Sequence, residues 1–345
     1  MFIRRVVGLC IAVFLVAGAS LSLVAQDKKK EPKKLSKQEQ QDIATLVKLA
    51  DGIGMGQTAP ADLTLTWQQN HFLKASDGKT FMPFTVIIDA KGLSSPGVAM
   101  YVRAVAKSAP AAAADKKGEP KGEQKKIEYP WDDIQFFDVP ANGHVSRALA
   151  VPGGDYDLIV AVKEKSTGKE KKNDVNKTGV LRRELTVPDF GKPELDTSSV
   201  ILADVVEASP PLDPEGQRAN PYTFGNMRIT PNVDPKFKKS AELNLVFWIY
   251  GVSPASAQKP DVLVDYNFHQ KLPDGEKFFN RTAPQPLNGQ TLDPAFDMSI
   301  GHLLMGSLTV PLASFPPGDY RLEIKITDKP SGKTLTRNVA FSVVA

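Results

Sequence analysis

Between Tyr320 and Thr327, apolar Tyr320, Leu322, Ile324 and Ile326 alternate with Arg321, Glu323, Lys325 and Thr327. A period of two gives a strand one buried and one wet face. A looser version runs from Tyr156 to Lys163, where Ile159 and Ala161 occupy positions that strict alternation would make polar. Comparable stretches predict strands over residues 63–67, 81–89, 98–106, 134–139 and 144–151 in the first half. In the second half they predict strands over 200–206, 243–250, 262–270 and 303–312, with an irregular section before the last. Helical periodicity is confined to one place. Ile43, Leu46, Val47 and Ala50 line one face of a helix that Ser36-Lys37-Gln38-Glu39 opens as a capping box and Gly52 closes. This helix is expected to pack on the first domain.

Two of the strands belong to a repeated phrase. VPGGDYDLIVAVKEKSTGK starts at Val151 and FPPGDYRLEIKITDKPSGK at Phe315, 164 positions later. Each copy opens on a Pro- and Gly-containing turn, continues as a strand, turns again at Ser-Thr-Gly-Lys or Pro-Ser-Gly-Lys, and ends in another strand, over 181–187 or 335–343. Each is therefore a terminal hairpin. Short strands bordered by Pro and Gly predict an all-β chain of two tandem sandwiches, the first over residues 58–190 and the second over 195–345. The boundary lies near VPDFGKPELDT, and a charged segment with the short helix (26–57) precedes both.

Gly154-Asp155-Tyr156 and Gly318-Asp319-Tyr320 resemble the tyrosine corner of immunoglobulin-like sandwiches, in which a Tyr near the start of the penultimate strand bonds back to the preceding corner. Leu158 and Leu322 stand where antibody domains carry a Cys, and Trp248 lies in the second strand of its domain, so the likeness extends to fold type alone. The second half, through Asn220-Pro221-Tyr222-Thr223-Phe224-Gly225, LNLVFWIYG and PGDYRLEI, resembles uncharacterised secreted bacterial proteins with tandem immunoglobulin-like domains. That resemblance implies export and a sandwich fold, and nothing catalytic.

The N-terminus agrees with export. Met1 to Arg5 is a short basic head, and the apolar run from Val6 ends in small residues at Ala25, the layout of a secretory signal peptide over residues 1–25. The alternative is an uncleaved helical anchor, the one arrangement in which the chain meets a membrane. Lys28, Lys29, Lys30, Lys33, Lys34 and Lys37 follow the run, and positive charge there is favoured on the cytoplasmic side. The expected location is secreted or periplasmic. Cys10 is the one cysteine of the 345 residues, so a processed chain has no disulfide, thiolate metal site or Cys nucleophile. The net charge of +4 rests on Arg4, Arg5 and the lysine cluster, and the remaining chain offers no basic face for nucleic acid. Residues 107–128, rich in Ala, Lys and Glu, predict a disordered loop.

Motifs for chemistry are sparse. There is no Gly-x-Ser-x-Gly, Walker loop or His-Glu-x-x-His, and no pattern that calls for a cofactor. Asp293, Asp297 and His302 form the best set of metal donors, although Asp293-Pro294 equally opens a turn. Asp265, Asn267 and His269 share one face of a strand, either as a ligand stripe or as a solvated surface. Trp131, Tyr222, Phe278 and Phe279 are candidates for stacking on sugar rings, provided that at least two are exposed on one surface. Three readings follow: a non-enzymatic binding or scaffold protein of the bacterial envelope with a protein or glycan partner, a carbohydrate-binding accessory protein, and a hydrolase acting between the domains through Asp293, Asp297 and His302.

Overall fold

The computed structural model describes residues 35–75, 77–107, 129–166, 176–255 and 258–345. The expected leader, the Lys-rich segment up to Lys34 and the loop over 108–128 lie outside the described residues. The chain divides into two compact units. One holds the described residues up to Lys192 together with 213–221, and the other holds 193–212 and 222–345.

The first unit runs α1 (Lys37–Gly54), β1 (Leu65–Asn70), β2 (Leu73–Lys74), β3 (Thr80–Ile88), β4 (Gly97–Ala106), β5 (Trp131–Asp138), β6 (His144–Val151), β7 (Gly154–Glu164) and β8 (Thr178–Val187). In one sheet β3 pairs with β6 on one side and with β1 and β2 on the other. The second sheet has the order β5-β4-β7-β8. Alternate residues from both sheets, among them Phe84, Val86, Met100, Val102, Leu149, Leu158 and Val160, meet in one core. The arrangement is an all-β sandwich.

The second unit repeats this order with additions: β9 (Asp196–Thr197), β10 (Ile201–Ala208), β11 (Thr223–Phe224), β12 (Met227–Pro231), β13 (Lys236–Lys238), β14 (Glu242–Tyr250), β15 (Val262–Leu272), β16 (Gly275–Arg281), β17 (Gln285–Leu287), β18 (Leu304–Pro311), β19 (Gly318–Asp328) and β20 (Lys333–Val344). Here β10-β14-β18 answers to β1-β3-β6, and β16-β15-β19-β20 answers to β5-β4-β7-β8. Strand-forming residues 275–281 and 285–287 replace much of the irregular section expected between 271 and 302. Their alternation is hidden because β16 is an edge strand, exposed at nearly every position and interrupted by a bulge.

The repeated phrase supplies the strand that anchors each sandwich. At its start, Tyr156 Oη donates to the Pro152 carbonyl at 2.9 Å, and Tyr320 Oη donates to the Pro316 carbonyl at 2.7 Å. Gly154 and Gly318 both have a φ of 150°, a conformation that side chains with a Cβ rarely adopt. At its end, the same 164-residue offset pairs Glu164 with Asp328. Both are buried carboxylates. Glu164 accepts the Ser94 N–H at 2.5 Å and the Lys177 N–H at 3.0 Å. Asp328 accepts the Ser253 N–H at 3.1 Å and the Ser331 hydroxyl. Each carboxylate thus ties the loop entering the neighbouring strand, β4 or β15, to the segment beyond its own strand.

Helix α1 has the predicted capping box, with the Ser36 N–H donating to Glu39 Oε2 and the Glu39 N–H to Ser36 Oγ. It continues through Gly52 to Gly54. Gly52 is a contact position, where an added Cβ would meet Gln57 Oε1 at 2.3 Å. Leu46, Ala50 and Ile53 cover Ala99, Tyr101, Ile159 and Ala161 on the outer face of the β5-β4-β7-β8 sheet. Two close ion pairs and a looser one, Lys165 Nζ to Glu39 Oε1 at 3.6 Å, seat the helix. Asp42, 1% exposed, holds Lys163 Nζ at 2.6 Å and also accepts from Ser166, and Asp51 holds Arg103 Nη1 at 2.5 Å. The Arg103 guanidinium lies 3.9 Å over the Tyr129 ring. Buried charges persist only with such complete partnering.

Two outcomes are expected. Tyr156→Phe and Tyr320→Phe should each lower the free energy of unfolding by about 1 kcal/mol, read as an earlier urea midpoint at unchanged slope. Burial pulls the His71 imidazole from 6.5 down to about 4. The unfolded chain therefore takes up that proton first as pH falls, so His71 leaves stability intact above pH 6.5 and erodes it progressively towards pH 4. His71→Gln should flatten that part of a melting-temperature profile recorded between pH 7 and 4.5.

Candidate functional site

The outer faces of the two corresponding four-stranded sheets differ in chemistry at matched positions. In β7 the outward residues Ile159 and Ala161 are buried under α1. The residues 164 positions later in β19 are Glu323 and Lys325. No described helix packs on the β16-β15-β19-β20 sheet. A strand keeps its inner face constant to close the sandwich, so its outer face is free to diverge.

On that face β15 contributes Asp265, Asn267 and His269, while Val264, Tyr266 and Phe268 point into the core. Across the ladder stand Lys325, Glu323 and Arg321, in register with them. Asn267 Nδ2 donates to Glu323 Oε1 at 3.3 Å, and Arg321 bonds Glu276 at 2.9 Å, Glu323 at 3.3 Å and Asn338 at 2.6 Å. Burial pulls the Arg321 guanidinium down, but the carboxylates of Glu276 and Glu323 outweigh it and hold the group above its ordinary value. Among the described residues His269 Nε2 makes no hydrogen bond; it lies 4.0 Å from Glu323 Oε2, and its ring meets Phe278 edge-on at 6.0 Å.

A bulge in β16 decides which side chains join this face. His269 pairs with Phe278 and Asn267 with Arg281, with the register shifting between Phe268 and His269. Residues three apart on a regular strand point to opposite faces; the extra residue restores Arg281 to the side of Phe278. Phe278 is 59% exposed. Phe279 turns inward, 4.9 Å from Phe315 and 5.5 Å from Tyr320 between ring centres.

Where the chain leaves β16 at Thr282-Ala283-Pro284 before rejoining the sheet as β17, it opens a notch of about 560 Å³ over Tyr266, lined also by Asp265, Asn267, Arg281 and Lys325. Asp265, Arg281 and Lys325 have no side-chain hydrogen bond or ion pair among the described residues. Burial pushes the Tyr266 hydroxyl far up, and as a neutral donor it bonds Gln285 Oε1 at 2.8 Å beneath the notch.

The other sequence candidates are placed differently. Tyr222 is 4% exposed, and Trp131 packs partly buried against the core of the first unit. Of the four aromatics proposed for stacking, Phe278 alone is exposed, so the platform of two exposed rings is not formed. Asp293 Oδ1 accepts the Ala295 N–H at 2.7 Å, Asp297 Oδ1 accepts the Ser299 N–H and hydroxyl, each at 2.7 Å, and His302 Nδ1 accepts the Asp297 N–H at 2.9 Å. The bonds from Ser299 hold the Asp297 carboxyl below its usual range. All three residues brace the turns of their own loop, and among the described residues no three His, Cys, Asp or Glu side chains gather as metal donors. Of the notch cations, the alternation marked Lys325 as outward, whereas Arg281 escaped the sequence reading because the bulge breaks the period that would have placed it on the same face.

No protein-family model and no curated protein sequence matches the chain. Among solved structures, it is similar to trypsin-activated alpha-2-macroglobulin from Escherichia coli, at 11% identity and a TM-score of 0.24 over 84% of this chain and 17% of that one. It is also similar to Salmonella alpha-2-macroglobulin reacted with methylamine, at 13% identity and a TM-score of 0.21 over 81% of this chain and 16% of that one. The chain thus spans about a sixth of either macroglobulin. Its all-β architecture follows from its own strand order and register.

The opposed settings of the two phenylalanines lead to opposite expectations. Phe278→Ser should leave the melting temperature within about 1 °C of the parent, in keeping with the small effects of surface changes. Phe279→Ala should cost on the order of 2–3 kcal/mol, somewhat less than the loss of a fully buried ring.

Proposed function

We propose that this protein is an exported, non-enzymatic binding module of the bacterial envelope, and that its ligand sits on the outer face of the β16-β15-β19-β20 sheet. One observation carries the reading: two sheets of matching topology diverge at matched outer positions, the first carrying Ile159 and Ala161 beneath its own helix, the second Glu323 and Lys325 with no described helix over them. A duplicated scaffold with one face filled internally and the other left open suits a binding role. The apolar run at the N-terminus supports export.

The test is retention of the tagged full-length chain in the envelope of intact cells, before and after chemical cross-linking. Charge reversal at Glu323 and Lys325 should release at least five times more of the protein than substitutions of the exposed polar residues Thr230 of β12 and Glu242 of β14 in the other sheet, with the melting temperature unchanged. Equal release by both variants would remove the binding face, and recovery from the cytosol with the leader attached would remove export.

A further inference from the structure

The notch holds two cations that the fold does not use. Arg321, close by on the same face, is satisfied by Glu276, Glu323 and Asn338. Arg281 and Lys325 have no such partners, and both line one depression with an equally unengaged Asp265 and with Asn267, whose amide donates to Glu323. A guanidinium presents a planar fork of donors suited to an acid group, and a lysine adds a compact point charge beside it. Asp265 accepts hydrogen bonds only, and the Asn267 side-chain oxygen accepts as well, so the same site has places for hydroxyl groups. Phe278, one aromatic ring exposed farther along the strand, adds a single apolar surface.

The composition of the face selects among ligands. Cores of protein interfaces are depleted in Lys, Glu and Asp and enriched in aromatic residues. Here Asp265, Glu323, Lys325 and Arg281 dominate, which disfavours an apolar helix of the kind that covers the first unit. Asp265 repels any carboxylate beside it, but a saccharide offers its acceptor oxygens hydroxyl groups that the side chains of an acidic peptide lack. We infer that the notch over Tyr266 is a binding site for an acidic saccharide, with its acid group on Arg281 and Lys325 and its hydroxyls on Asp265 and Asn267. This assignment rests on the binding-module reading and names its ligand class. It differs from stacking recognition of neutral sugars, for which the required pair of exposed rings is missing.

The experiment is calorimetric titration of the purified full chain with trigalacturonic acid, with the neutral maltotriose, and with a short polyglutamate peptide, at 20 and 200 mM salt. Binding of the acidic trisaccharide is expected to exceed that of maltotriose at least tenfold, to weaken with salt, and to fall at least tenfold in Arg281→Gln and in Lys325→Gln, both melting like the parent. Asp265→Asn should strengthen polyglutamate more than the trisaccharide, because the saccharide alone loses a charged acceptor for its hydroxyls. Equal binding of the neutral sugar, equal or tighter binding of polyglutamate by the parent, or no binding of the acidic trisaccharide would each overturn the assignment. Loss of the saccharide site together with charge-dependent envelope retention would sink this inference alone. Loss of both would sink the binding module as well.

Discussion

One strand in each unit is held at both ends, and the rest of each sandwich is arranged around it. In β7 and β19 a tyrosine hydroxyl fastens the first residues to the preceding Pro carbonyl, and a buried carboxylate fastens the last residues to the loop before the neighbouring strand. Each strand then reaches both neighbours in its sheet along most of its length. A cysteine-free sandwich has no covalent cross-link to set the distance between loops and sheet. Hydrogen bonds at the two strand ends provide this positional constraint instead, and a buried carboxylate with its donors in place is costly to disturb.

With the inner face committed to closure, divergence is left to the outer one. The first unit uses its freedom to bury α1, and it stabilises this contact with three charge pairs, of which Asp42 with Lys163 is almost wholly removed from water. In the second unit the same positions turn charged. The acidic and basic groups there are partly matched to one another, and the residue of unmatched charge gathers where the chain detours out of the sheet at Thr282-Ala283-Pro284. The detour and the divergence are separate events in the sequence that the fold places side by side.

Much of the architecture was legible. The alternation around Tyr320, the Pro-Gly-Asp-Tyr turns and the capping box at Ser36 each express a local rule, and local rules survive without tertiary information. Even the contrast of outer faces had a trace, since Ile159 and Ala161 spoil the alternation of β7 and announce something apolar above it. What stayed hidden depends on distance or on broken periodicity. Asp42 reads as a polar member of a helix until Lys163, 121 residues away, is brought to it. Glu164 and Asp328 read as ordinary strand-end acids. Arg281 was unreadable because the bulge shifts its face, and Tyr222 was misleading because loop aromatics are as readily buried as displayed.

The bulge at Phe279 also has a bearing on descent. Its extra residue lets Phe279 turn inward while Phe278 and Arg281 both stay on the outer face. Deleting Phe279 would leave Arg281 opposite Asn267 at the notch, two positions from Phe278, and would take one ring from the core. Among related chains a gap at this position should therefore travel with a compensating change around Phe315 and Tyr320, and leave what the outer face presents unchanged.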